Sequence, residues 1–195
     1  MLRRSLLTSA IAASLLTTFS LPAFATQVYE TDLVIIGGGL SGLAAAQSAV
    51  DQGAKPIVLE KEAALGGGGN FPEGSLGVGT RYQKEHNINT TVDQVLIAAL
   101  QYHHYRADPH VLRVLIEESG KTIDWVMDKG AQMRGIRTMY PKDESLMTWH
   151  LFKGGAAGII QRFAKEVRAK GGTILTETPA KKLIVENGKV VGVEA

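Results

Sequence analysis

The segment from Asp32 to Gly42, Asp-Leu-Val-Ile-Ile-Gly-Gly-Gly-Leu-Ser-Gly, constrains this chain most, because an apolar β-branched run passes directly into glycines. From Asp32 to Gly37 it lacks polar alternation and predicts a strand buried on both faces of a parallel sheet. Gly37, Gly39 and Gly42 stand in G-x-G-x-x-G spacing. Each has its own role, since Gly37 permits a tight turn, Gly39 lets a pyrophosphate approach the backbone, and Gly42 lets helix and strand pack closely. A helix over about Leu40 to Gln52, stopped by Gly53, then directs unpaired N–H groups and a positive dipole end at the phosphates. The next strand, Pro56-Ile-Val-Leu-Glu60, ends 18 residues after Gly42 on a carboxylate that accepts hydrogen bonds from both ribose hydroxyls of an adenosine. Strand, turn, helix and acid in register predict a dinucleotide site, and the acid argues against a ribose phosphate, hence against NADP.

Beyond Glu60 the chain reads as a long loop from Lys61 to about Asn89, a length that usually signals function or a missed element. A helix is expected from Thr91 to about Tyr105 and another from Asp108-Pro109, an acid and a proline suited to a helix start, to about Gly130. Gly120 is a candidate break in the second. A further helix spans about Ala157 to Lys170, followed by a strand over Gly172 to Thr176. Lys181 to Glu186 and Lys189 to Val193 form a hairpin around Asn187-Gly188, a preferred two-residue turn.

Met1 to Ala25 reads as an export signal: Arg3-Arg4, an uncharged apolar run from Leu6 to Leu21, Pro22, then Ala23-Phe24-Ala25, with cleavage after Ala25. The run is short and rich in Ser and Thr, which disfavours a permanent membrane anchor, and no later stretch is long or apolar enough to span a bilayer. The arginine pair fits twin-arginine export, although Ser5-Leu6-Leu7 is an ordinary Sec continuation and general export is favoured. An exported, periplasmic or extracytoplasmic location follows. Both signal charges belong to the chain's 21 basic residues and none to its 19 acidic ones, so what remains is balanced at 19 each. That balance gives no reason to expect nucleic acid. With zero cysteines the chain has no disulfide, no thiolate metal site and no c-type haem attachment, so electrons come from a partner or a diffusible donor.

FAD and NAD share the glycine fingerprint. A second feature, Leu65-Gly66-Gly67-Gly68-Gly69-Asn70, offers bare backbone to pass a pyrophosphate, ribityl chain and flavin, and reads equally as a flexible surface loop. Ile36 to Leu43, Leu59-Glu60-Lys61, the Gly66-Gly67 step, Ile123-Asp124-Trp125 and Lys189 to Val193 together resemble the flavoprotein subunits of succinate dehydrogenase and fumarate reductase. The resemblance includes soluble flavocytochrome c fumarate reductases and ketosteroid dehydrogenases, and runs from about Thr31 to Ala195. It implies a Rossmann-like α/β FAD-binding domain with a central parallel sheet, helices and a C-terminal β-hairpin. By the same resemblance Gly37, Gly38, Gly39, Leu40, Ser41 and Gly42 hold the pyrophosphate, Glu60 and Lys61 the ribose side, Gly67, Gly68, Gly69, Gly74 and Ser75 the flavin side, and the backbone near Ala180 the adenine.

Two departures from the family pattern shape the expectation. Gly68 stands at the ungapped position of the histidine that bonds covalently to flavin in membrane-bound members, so FAD is expected to be non-covalent. Family members place their substrate clamp and proton-donating arginine in a capping domain after a strand like Lys189 to Val193, and the chain ends at Ala195. The expectation is therefore an N-terminal piece, residues 26–195, of an enzyme transferring hydride between FAD and an activated carbon–carbon bond. Its substrate would be a small unsaturated carboxylate and its electron donor a cytochrome or a quinol-linked protein. The alternatives are a non-catalytic FAD module, one half of a split flavoprotein, or a ketosteroid dehydrogenase-like enzyme. No catalytic residue is assigned. Adjacent His103 and His104 point about 100° apart on a helix and make a poor chelating pair, so no metal is expected. His150 reads as a loop histidine more readily than as a cleft residue, Arg134 and Arg137 as a solvated face more readily than as an anion clamp, and no Ser-His-Asp set is diagnostic.

Overall fold

A computed structural model describes residues 27–139 and 146–195 of the chain. The expected export signal and its cleavage point lie outside the described residues. Thr31 to Ala195 form one compact unit.

Its central sheet is parallel, in the order β1 (Val34–Ile36), β2 (Ile57–Leu59) and β6 (Thr173–Leu175). β2 lies in the middle, pairing Ile57 with Val34 and Thr173, and all three of its residues are buried. β1 departs from the expected double burial: it is an edge among the described strands, and Ile36 is 56% exposed. α1 (Leu40–Asp51) crosses from β1 to β2, as the glycine motif and Gly53 predict. It packs on α5 (Gly155–Ala169), and Leu43, Ile159, Ile160 and Phe163 join Ile123 and Phe152 in the main core. Ala46, Val50, Val58 and Val167 fill the layer between α1, α5 and the sheet.

The segment expected as a loop to Asn89 holds a 3-10 turn (Gly67–Asn70), β3 (Gly74–Leu76) and α2 (Arg81–Glu85). β3 belongs to a second, antiparallel sheet, order β3-β5-β4, with β4 (Met133–Thr138) and β5 (Met147–Phe152). A Gly-Ser-Leu strand carries no apolar period, and only the distant partner β5 makes it a strand. α3 (Val92–Tyr102) starts on a capping box in which Thr91 and Gln94 satisfy each other's backbone N–H groups. α4 (Pro109–Asp128) starts on the Asp108 carboxylate, which accepts from the His110 and Val111 N–H groups.

Gly120 does not break α4. It sits on the buried face, where a Cβ would overlap the Val78 carbonyl oxygen, so glycine here serves close packing of α4 against the strand-end segment at Val78. β7 (Lys182–Glu186) and β8 (Lys189–Glu194) form the expected hairpin, with Asn187 at φ 50 and Gly188 at φ 76 in the left-handed conformation that such a turn demands. No helix among the described residues is long and apolar enough to cross a membrane.

Candidate cofactor site

The turn between β1 and α1 is built as its spacing demands. Gly37 has φ 101, which side chains rarely adopt, and its N–H donates to the Leu59 carbonyl at 2.7 Å. A Cβ on Gly42 would overlap the Gly37 carbonyl oxygen, so the helix can start this close to the strand only on glycine. Gly39 caps α1 without any side-chain acceptor, and the first turn carries no acid, whereas α2, α3 and α4 are capped by Thr80, Thr91 and Asp108. The first-turn amides of α1 therefore depend on solvent or a ligand, and the helix dipole favours an anionic one.

Ile36, Gly37, Gly39, Leu40, Ser41 and Gly42 line a cleft of about 450 Å³ together with Gly66, Gly67, Gly68 and Gly69. The second glycine loop is tied to the first. Gly66 N–H donates to the Gly38 carbonyl at 2.9 Å, and Gly39 and Gly66 form a parallel bridge. Asn70 closes the loop by donating from Nδ2 to the Leu65 carbonyl at 2.9 Å. A Cβ on Gly67 or Gly68 would meet nothing within 4 Å, so their bare backbone widens the cleft and leaves room for an extended ligand. A smaller cavity of about 90 Å³ beside Ala131, Lys153 and Arg162 is too small for a dinucleotide.

Glu60 lies beneath the first loop and is 8% exposed. Its Oε2 accepts from the Gly38 N–H at 2.7 Å and its Oε1 from the Glu62 N–H at 2.9 Å. The Glu62 N–H first, and those of Gly38 and Lys61 after it, hold the carboxyl below its ordinary 4.5 against the opposing effect of burial. A carboxylate offers about four lone-pair sites, so an ionised Glu60 keeps acceptor capacity for further donors.

Gly37, Gly39, Leu40, Ser41, Gly42, Gly67, Gly68 and Gly69 thus meet at one cleft, with Gly38 and Glu60 directly behind it. Lys61 is exposed and faces Glu62 at 3.6 Å. Gly74 and Ser75 lie in β3, paired with Leu151 and His150, outside that lining. Ala180 follows Thr178, whose N–H donates to the Glu60 carbonyl at 2.8 Å and draws this segment back to the end of β2. Three participants had a place in the sequence motifs but no site role of their own: Gly66, the bridge between the loops, Asn70, its clamp, and Ile36, which lines the cleft. The run Leu65 to Asn70 contains the first two, but pairing between loops is not a periodic signal.

The other candidates lie elsewhere. His150 is fully buried in β5, not in a loop; its Nδ1 faces the Thr148 carbonyl at 3.0 Å and its Nε2 the Thr80 hydroxyl at 2.9 Å. His103 is the C-cap of α3 and His104 sits past the helix end at φ 51. Arg134 and Arg137 are more than half exposed and face Glu73 at 3.1 and 3.8 Å. No metal-binding group of three or more His, Cys, Asp or Glu occurs among the described residues.

The chain is similar to known proteins over the same span as this architecture. The model of a family described as the FAD binding domain matches residues 32–195. A vinyl phenol reductase of Lactiplantibacillus plantarum is 34% identical over 164 residues, covering 83% of this chain and 33% of the relative. A fumarate reductase (cytochrome) of Shewanella frigidimarina is 31% identical over 119 residues, 60% of this chain and 21% of that protein. Among solved structures, the open conformation of a flavocytochrome c3 fumarate reductase superposes with a TM-score of 0.70 at 22% identity, over 84% of this chain and 29% of the other. The chain thus spans about a third or less of the length of these relatives. The residues fit the group that the family binds: bare glycine backbone, an uncapped helix start and a buried acid suit a pyrophosphate and its ribose. By sequence match and by fold alike, the chain belongs to the FAD binding domain family, with FAD as its cofactor and fumarate reductases and related flavoproteins as its relatives.

Proposed function

We propose that this chain holds FAD non-covalently by its ADP half and belongs to an exported oxidoreductase that reduces an activated carbon–carbon double bond in a small unsaturated substrate. The observation that carries the binding mode is the junction of the two glycine loops at an uncapped helix start. In this reading the first-turn amides of α1 meet the pyrophosphate, Glu60 accepts from the adenosine ribose, and the segment at Ala180 borders the adenine. Gly68, which lines the cleft where the covalently flavinylated members of the resembling family carry a histidine, supports non-covalent binding. FAD, once bound, supplies the hydride chemistry, and the protein orients it. The relatives support the substrate class: their names include reductases of vinyl phenol, fumarate and acrylate, each a molecule with a carbon–carbon double bond. A fumarate or acrylate acceptor makes an unsaturated carboxylate the first choice, and the relative named fumarate reductase (cytochrome) supports a cytochrome or a quinol-linked protein as donor.

Two measurements test this reading. The purified chain incubated with FAD and desalted is expected to retain flavin that acid precipitation releases into the supernatant. Flavin that stays with the precipitate would contradict non-covalent binding, and none retained would contradict the cofactor assignment. For the protein expressed from its whole reading frame, a reduced dye donor is expected to be oxidised on adding fumarate or acrylate, and no oxidation with any such enoate would remove the substrate class.

A further inference from the structure

Glu60 has a second role besides the ribose. Its Oε2 fixes the Gly38 N–H at 2.7 Å, and the carbonyl of the same Gly38 receives the Gly66 N–H at 2.9 Å. One glycine residue is therefore held from both sides, by the acid at the end of β2 and by the start of the second glycine loop. Gly38 and Gly66, the residues that meet here, have no side chains of their own to define this approach. A Cβ on Gly38 would press on Leu65 Cδ2 at 2.6 Å and on Glu60 Cβ at 3.1 Å, so Gly38 is confined between those two residues. The other carboxylate oxygen accepts the Glu62 N–H, which pins the chain immediately after β2.

We propose that Glu60 is a positioning residue for both glycine loops, setting the separation of the cleft's two sides through the relay Glu60–Gly38–Gly66. This inference rests on the FAD-binding reading above and deepens it. Only an ionised carboxylate serves both backbone donors at once. A glutamine keeps the shape of the side chain but has one acceptor oxygen and an NH2 group, so either the Gly38 or the Glu62 N–H faces a donor. The loops are then free to part, whatever ligand is present.

The test separates the two roles by removing the ribose hydroxyls from the ligand instead of from the protein. FAD and its 2′,3′-dideoxyadenosine analogue are titrated into the full chain and into Glu60→Gln. If Glu60 positions the loops as well as accepting from the ribose, the substitution weakens the analogue about tenfold or more and FAD by at least as much. If Glu60 acts only on the ribose, the substitution weakens FAD and leaves the analogue unchanged, and the proposal is overturned. Amide hydrogen exchange on the ligand-free chain supplies a readout that needs no flavin. Faster exchange at Gly38 and Gly66 in Glu60→Gln, with β5 and α5 unchanged, is expected, and unchanged exchange at both glycines overturns the relay. Failure of the unsubstituted chain to bind FAD would instead count against the function proposed above, while the exchange result still decides the relay.

Discussion

Gly42 shows how little freedom the turn has, because its absent side chain is what lets α1 begin against the Gly37 carbonyl. Gly42→Ala is expected to cost about 1–3 kcal/mol, the usual range for forcing extra volume into a packed site, and to abolish flavin retention. Thermal unfolding and bound-flavin absorbance check both. His150 gives a pH-dependent counterpart. Burial pushes its imidazole below the ordinary 6.5, against smaller opposing effects of the Thr148 carbonyl and Asp124. The unfolded chain takes up a proton near that value while the folded chain resists it. The contribution of His150 to stability is therefore complete above about pH 6.5 and declines as pH falls toward the lower folded value. The melting temperature should drop between pH 7 and 5, and His150→Gln should flatten that drop. An equal slope in both proteins would show that another group is responsible. The sequence identified Gly42 through its motif, whereas the burial of His150 was hidden, since Trp149-His150-Leu151 has no pattern that betrays a partner 70 residues away at Thr80.

The helices test the balance between local propensity and packing. Alanine is favoured over glycine in a helix interior by about 1 kcal/mol, so propensity alone predicts that Gly120→Ala stabilises α4. A Cβ there would overlap the Val78 carbonyl, and the expected outcome is net destabilisation of about 1–3 kcal/mol, read as a lower melting temperature. A gain in stability would show that Val78 yields easily. The C-terminal ends of α1, α4 and α5 are joined by charge. Lys129 lies 2.6 Å from Asp51, and Lys170 lies 2.7 Å from both Asp51 and Glu166. Lys129 first and then Lys170 hold the Asp51 carboxyl at about 2, down from 3.8. A depressed carboxyl stabilises the fold above its unfolded value and loses that effect as pH falls from about 3.8 to about 2. Asp51→Asn should therefore be less stable than the unsubstituted chain at pH 7, with the gap closing across that acid window in denaturant melts. Elements with a 3.6-residue apolar period and a cap, such as α3 and α4, were legible. α2 and the three-residue β3 were not: α2 has a Thr80–Gln83 capping box but at five residues is too short for an apolar period, and β3 is a strand only through its pairing with β5.

Across the unit from Thr31 to Ala195, sequence order and spatial order diverge where function is concentrated. The βαβ start was legible because its glycines, helix and acid lie within one local stretch. The addition of β6 beside β2 and the second sheet β3-β5-β4 depend on pairings between distant residues, which no window of sequence contains. The cleft inherits both properties: one wall follows from the motif, and the other arrives from Gly66 to Gly69 through the bridge to Gly39. If this cleft grips the ADP half of FAD, competition for bound FAD, followed by flavin fluorescence, tests that grip most directly. ADP is expected to displace FAD from the full chain while FMN, which lacks the adenosine and the diphosphate, does not; displacement by FMN but not by ADP would contradict it.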